Sequence, residues 1–502
     1  MVVGAGEHGL FKVLIGVALG MLVAALVMPS HPPLDVTAGG GRNSRGGAAA
    51  GGSGDEAAAA GPDATATGEG ASGQATAAAG GPAAGASGAG SSATAASAGS
   101  GGGAAARGVI DSTITIGVAY LNLNGVQYLG PDYDVGDVPT QWKAVIAGWK
   151  RRGQLPVAGR DIRLTFHDYS VLDPSQQRSA CAAMIQDDRV FAVVAPEYFY
   201  QQGAECVAAE NHTPVITSDG PATEVYQRSA PNLYTIMLSA TDQLTNLVYW
   251  ARDKGLLQNR KIGVYYPNDP ASQHLVDSGL QAPLQRLGFR ISARATTANA
   301  NGGPEDAIAV QRFHSSGIDL VVLMTSDLGF MQQADAQDYH PHYMGSDYNG
   351  YTTYLNAENF PADQFDGSPA VTVTDRGTLT TGAPISASAR QCLDDYNQYS
   401  GSHYAPPPPG GHETAAYVYV MLACDEGQLL LKALQSAGRN LTTTSFEAGL
   451  GAIRDQPMNY FPNLSFGPGR YEGVQQERTL AWRAKCTCWV ADGPLQPLSM
   501  PR

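Results

Sequence analysis

The sequence predicts an α/β protein of two lobes, each with a parallel sheet, and a cleft between them. Three observations carry this. Short apolar runs without polar alternation recur along the chain, the pattern of strands covered on both faces. Helical segments long enough for a right-handed crossover separate them. The strand–helix alternation then occurs in two series of similar size. Its clearest unit is 187–219, with an apolar run at 190–195, a helical segment at 201–211 and a second run at 214–217.

A length of 502 residues allows two or three domains at roughly 150 residues each. Within residues 1–36, positions 10–28 are apolar except for Lys12. Such a stretch is either an uncleaved signal-anchor, that is, a transmembrane helix, or the core of a signal peptide. Small-x-small triplets such as Ala18-Leu19-Gly20 lie inside the run, where cleavage is disfavoured, so the anchor reading leads. No cysteine precedes Cys181, which rules out anchoring through a lipobox cysteine. Residues 37–107 are almost wholly Gly, Ala, Ser and Thr. They bury too little apolar surface to offset ordering entropy and read as a disordered tether. Its root-mean-square reach is on the order of 50 Å.

Lobe I begins at 108–235. Residues 109–120 form a strand that ends fully apolar, and 140–152 a helix with Trp142, Val145, Ile146 and Trp149 on one face. Strands at 160–167, 190–195 and 214–217 follow, with helical segments between them. Lobe II begins at 236–370, with helices at 242–254, 272–287 and 307–315 and strands at 261–266, 290–295 and 319–324; 342–345 adds a short strand. The chain then recrosses. Lobe I resumes over 371–456 with helices at 387–399, 412–437 and 445–453, and 457–502 holds a recrossing and a final strand at 479–490 in lobe II.

The six cysteines point to an oxidising compartment. Cys181 and Cys206 fall in consecutive crossover helices, which are neighbours on one face of a sheet. Cys392 and Cys424 sit in two further helices, and Cys486 and Cys488 form a Cys-x-Cys in the apolar final strand. Six cysteines allow 15 pairings, so this map is an expectation. A formal charge of −14 and a pI near 5.1 argue against nucleic acid as a partner.

No catalytic constellation is present: no nucleophile elbow, no phosphate-binding Gly-Lys-Ser/Thr loop and no His-Glu-x-x-His. An enzyme is therefore not expected, nor a cofactor. His340-Pro341-His342 supplies only two ligands, so no metal is expected either. Acidic residues at strand ends carry more. Glu197, Asp219, Asp327 and Asp347 each follow an apolar run by one to three residues. Each is either a ligand contact in the cleft or the cap of the next helix. Tyr128 lies in the loop after the first strand, and Tyr198, Phe199, Tyr200, Tyr265 and Tyr266 give an aromatic cleft edge or rim packing. Ser218, Asn268 and Ser326 complete the candidate set at strand ends.

The ordered pieces resemble a known family. They are Ile114-Thr-Ile-Gly-Val118, Gly159-Arg-Asp-Ile-Arg-Leu with Asp168 and Asp173-Pro174, Asp188-Arg-Val-Phe-Ala-Val-Val, Thr213-Pro-Val-Ile, Tyr343-Met-Gly-Ser-Asp347 and Ala415-Ala-Tyr417 with Lys432-Ala-Leu-Gln-Ser-Ala-Gly438. Together they are similar to the type I periplasmic binding proteins of the leucine/isoleucine/valine-binding kind. The resemblance implies two Rossmann-like lobes joined by a three-segment hinge, recrossing near 366–374 and 459–466. It also implies extracytoplasmic capture of a small solute, amino-acid-like or aromatic and polar, for delivery to an ABC permease. Asp347 matches the family's acidic residue for a ligand ammonium, and Ser326 falls at a cleft position. Glu197-Tyr-Phe199 replaces the small residues that hold an amino-acid carboxylate, and Pro270-Ala271 replaces a Tyr-Gly pair. The alternative is a membrane-tethered ligand-sensing ectodomain not coupled to transport.

Overall fold

The structure, a computed structural model, describes residues 106–123, 134–170, 173, 175–196, 199, 202–298, 304–325, 328–408 and 413–501. The N-terminal apolar run, the Gly/Ala/Ser/Thr segment up to 105, and Tyr128, Glu197, Tyr198, Tyr200, Ser326 and Asp327 lie outside the described residues. Among the described residues no helix is long and apolar enough to cross a membrane.

Lobe I is built on β1 (Val109–Ile110), β2 (Thr113–Asn122), β3 (Asp161–Ser170), β4 (Ala192–Ala195), β5 (Val215–Thr217) and β6 (Leu233–Thr235). The order is β3-β2-β4-β5-β6, all parallel, with β1 folded back antiparallel on the start of β2. Ile114, Ile116, Val118 and Ala119 of β2 are at most 1% exposed, and the strand, which begins by alternating Thr with Ile, turns fully apolar where both faces are covered. The helix Val138–Arg151 buries Trp142, Val145, Ile146 and Trp149 on the face that its spacing predicts. Helices Ala387–Ser400, Ala415–Ala437 and Thr443–Gly451 return to this same core. The helix Thr223–Ser229 and the three-residue β6 are additions to the sequence reading, since so short a strand carries no period.

Lobe II repeats the plan. Its strands β7 (Ile262–Pro267), β8 (Ile291–Thr297), β9 (Leu320–Leu323) and β10 (His342–Met344) run parallel in the order β10-β9-β7-β8. A single parallel bridge from Gly345 to Ala370 then leads into an antiparallel annex. Here β11 (Pro369–Thr372) pairs with β12 (Gln476–Arg483), β12 pairs with β13 (Cys488–Ala491), and β14 (Gln496–Pro497) joins the start of β12. Tyr343, Tyr351, Phe360, Phe365, Trp482 and Trp489 fill the core below.

The single final strand expected at 479–490 is thus a hairpin. Residues 484–487 form a turn between β12 and β13, and the bridged Cys486 and Cys488 at that turn have Cα atoms 5.1 Å apart, whereas two residues of extended strand span about 6.6 Å. The other bridges are Cys181–Cys206 and Cys392–Cys424, each joining two helical segments of lobe I.

Three segments connect the lobes: residues 236–239, 373–376 and 474–477. The first and third run side by side at their lobe I ends, where Thr235 N donates to Tyr471 O at 2.9 Å and Gly473 N to Thr235 O at 2.8 Å. Tyr460, Phe461, Leu464 and Phe466 all belong to the lobe I core. The third change of lobe therefore falls some residues later than the resemblance implies.

Candidate functional site

In each sheet the second strand lies outside the first, β3 beyond β2 and β8 beyond β7. Crossovers on either side of that point diverge, and a crevice opens at the carboxyl ends of the flanking strands. In lobe I this is the end of β2 and β4, at Asn122 and Pro196. In lobe II it is the end of β7 and β9, at Asn268 and Met324. A cavity of about 400 Å³ lies at the β2 end, lined by residues 120–123 and 134–139.

Two carboxylates, Asp134 and Asp137, stand in the cavity wall with Asn122 and Tyr120. Asn122 Nδ2 donates to Asp168 Oδ2 at 2.6 Å, tying the ends of β2 and β3 together. Asp134 accepts from Gly136 N at 2.9 Å, and Asp137 accepts from Thr140 Oγ1. Partial burial, and then the nearby charges of Asp168 and Asp137, push the Tyr120 hydroxyl above its ordinary pKa.

The structure distributes the sequence-predicted residues unevenly. Phe199 is wholly buried, its ring 5.4 Å from that of Tyr169. It lies over Gly203, where an added Cβ would come within 2.2 Å of the ring. Phe199 N donates to Asp219 Oδ2 at 2.9 Å, so Asp219 stitches the β5 loop to the β4 loop. Tyr265 and Tyr266 also turn inward: the Tyr265 hydroxyl donates to Asp306, and that of Tyr266 to Gln273 Oε1 at 2.6 Å. These three rings pack inside their lobes and do not line the cleft edge. Asn268 is exposed, its N–H bonded to Thr297 O at 2.8 Å.

Ser218 is buried beside Glu426 of the helix Ala415–Ala437. Glu426 is fully buried, and burial raises its carboxyl well above the usual range; Ser218 opposes this, while Asp219 and Asp425 reinforce it. The sequence reading missed Glu426. Its signal is the pair Asp425-Glu426 inside an otherwise apolar helical run.

Asp347 is committed to a network at the hinge. Its carboxylate accepts from Thr372 Oγ1 at 2.8 and 3.0 Å, from Val373 N at 2.7 Å and from Thr352 Oγ1, with Arg376 Nη1 at 3.7 Å. Arg376 Nε donates to Glu413 Oε1 at 2.9 Å, its Nη1 to Thr352 Oγ1 at 2.9 Å, and Tyr460 OH donates to the same Glu413 oxygen at 2.8 Å. Burial alone would lower the Arg376 pKa, but Tyr460, Glu413 and Asp347 outweigh it and hold it above its ordinary value. The network joins the loop after β10, the second crossing segment and lobe I. With an Asp347 side chain only 2% exposed, its acceptors serve the hinge.

Among the described residues no group of three His, Cys, Asp or Glu could hold a metal ion.

The sequence matches the periplasmic binding protein family over residues 141–471, and the chain belongs to that family. The family is one of solute-binding proteins, not of enzymes. No curated protein sequence matches. Solved structures share the fold at low identity. A branched chain amino acid ABC transporter protein from Thermus thermophilus with bound valine is 14% identical, with a TM-score of 0.55, covering 78% of this chain and 97% of that one. A leucine binding protein from Thermotoga maritima MSB8 is 15% identical, with a TM-score of 0.54 and coverage of 76% and 99%. A solute binding protein of an ABC transporter from Rhodopseudomonas palustris BisB5, in complex with 3,4-dihydroxybenzoic acid, is 14% identical, with a TM-score of 0.53 and coverage of 77% and 98%.

Proposed function

We propose that this chain is an extracytoplasmic solute-binding protein that captures a small molecule between its lobes and delivers it to an ABC permease. Residues 10–28 either hold it at the membrane or direct its export. The carrying observation is the repetition of one parallel strand order in two lobes joined by three segments, in a chain of the periplasmic binding protein family. That arrangement suits a hinge equilibrium which a solute touching both lobes biases toward closure.

The carboxylates of Asp134 and Asp137 beside Asn122 in the cavity wall support a solute carrying hydrogen-bond donors, such as an amino acid or a hydroxylated aromatic acid. Valine and 3,4-dihydroxybenzoic acid in two structural neighbours span that range. Of the predicted contacts, Tyr128, Glu197, Tyr198, Ser326 and Asn268 stay assigned to the solute. The bonding of Phe199, Asp219, Tyr266 and Asp347 and the burial of Ser218 support roles in shaping the cleft and hinge.

A thermal-shift screen over amino acids, amides, polyamines, hydroxybenzoates and sugars tests the reading. A stabilising compound whose effect is lost in Glu197→Ala or Asn268→Ala supports it; a protein stabilised by no member of the screen would sink it.

A further inference from the structure

The three disulfides differ in what they hold. Cys181–Cys206 and Cys392–Cys424 span 25 and 32 residues and join separate helical segments of lobe I. Cys486–Cys488 spans 2 residues, at the turn of the β12–β13 hairpin. With loop entropy scaling as 1.5R ln n, the short bridge restricts the unfolded chain roughly 25-fold less than the Cys181 bridge does. The fold therefore depends little on it. The hairpin is held instead by the pairs Leu480–Ala491 to Arg483–Cys488 and by buried Trp482 and Trp489.

Access to the two sulfur-bearing residues is unequal. Cys486 is half-buried in the turn, whereas Cys488 is 3% exposed. Basic residues flank them: Lys485 is exposed next to Cys486, and Arg483 is the cross-strand partner of Cys488. Asp366 also reaches the turn, accepting from Ala484 N at 2.9 Å. Two cations beside the pair favour the thiolate form in which a sulfur attacks or leaves.

We propose that Cys486–Cys488 is a thiol–disulfide exchange site that reacts with dithiols. A thiolate of the partner dithiol attacks Cys486 Sγ, the sulfur of the less buried cysteine. The Cys486–Cys488 bond breaks, its electron pair leaves on Cys488 Sγ, and that sulfur takes up a proton. The second thiolate of the partner then attacks the mixed disulfide at the partner's own sulfur and releases Cys486 as a thiol. Two electrons pass to the cysteine pair, and the partner becomes a disulfide. In reverse, Cys486 attacks a partner disulfide and Cys488 resolves it.

The test uses the oxidised full chain, graded dithiothreitol, a maleimide quench and peptide mass mapping. Cys486 and Cys488 are expected to label at a reductant concentration about tenfold below that opening the lobe I bridges, with the near-ultraviolet circular dichroism unchanged. Simultaneous opening of all three bridges, or loss of the tertiary signal as this bridge opens, overturns the proposal. Single variants test the direction of attack. Cys488→Ser leaves the more accessible thiol and should react with an aromatic disulfide reagent about tenfold faster than Cys486→Ser, which leaves the buried one. Equal rates overturn the assigned attack at Cys486.

Discussion

Glu224, in the first turn of the lobe I helix Thr223–Ser229, meets His274 of the lobe II helix Pro270–Leu275 at 2.7 Å. Both helices follow strands at the crevice end of their sheets, so the contact is a latch between lobes. Burial opposes ionisation of Glu224, but a backbone hydrogen bond, His274 and Arg228 outweigh it and hold the carboxyl below its ordinary range. A depressed carboxyl contributes fully above its unfolded value and loses that contribution as pH falls through the folded one. Acidification below the carboxylate range therefore releases the latch.

His274→Ala should open the lobes modestly. Both side chains are substantially exposed, so the pair contributes less than about 1 kcal/mol. The expected result is a rise in solute Kd of no more than about fivefold, with a larger radius of gyration for the solute-free protein. Small-angle scattering and titration calorimetry at low salt measure both. An unchanged radius in the variant would remove the latch.

Asp347→Ala should act on stability before it acts on binding. It strips the acceptor from Thr372, Val373 N and Thr352 and removes one counter-charge from Arg376. Buried donors left unpaired cost about 2–4 kcal/mol in total, with Glu413 still neutralising part of the Arg376 charge. Thermal melts without solute should show the loss, with Asp347→Asn milder. An unchanged melt with a large loss of affinity would return Asp347 to the solute ammonium.

The sequence made the βαβ rhythm legible because doubly covered strands leave unbroken apolar runs, as at Val190 to Ala195. Side-chain direction was not legible. Phe199 and Tyr266 stand at strand ends where a rim residue would also stand, and only packing against Tyr169 and bonding to Gln273 turn them inward. Asp347 had the sequence position of a ligand contact, but residues 25 and more positions away consume its acceptors. Glu426 was hidden because an acidic pair, Asp425-Glu426, within a long apolar helix reads as solvent-facing until both residues prove buried.

Gly203→Ala should disturb lobe I through one ring. The new Cβ would stand 2.2 Å from Phe199, fully buried against Tyr169. Overpacking of this kind costs about 1–3 kcal/mol. Phe199 N is bonded to Asp219, so its displacement also shifts the β5 loop. Adding Phe199→Leu to Gly203→Ala should recover part of the melting temperature. A single variant as stable as the parent would mean that the ring moves freely.

The pH dependence of stability should fall across the neutral side of the carboxylate range. Burial pushes Asp425 up to about 7, against the pull of backbone donors at Tyr460 and Asn459, and burial alone pushes Glu447 up to about 7. A raised carboxyl keeps its proton in the native state while the unfolded chain releases it. The contribution of these two groups is then highest below the unfolded value and declines as pH rises from about 4.5 to about 7. Glu447→Gln isolates one contribution, because Glu447 Oε1 has no hydrogen-bond partner to lose. The variant should gain about 1–2 kcal/mol at pH 7.5, discounted for partial exposure, and nothing at pH 4.5. Chemical denaturation at the two pH values reads the difference, and an equal change at both would remove the carboxyl from the account.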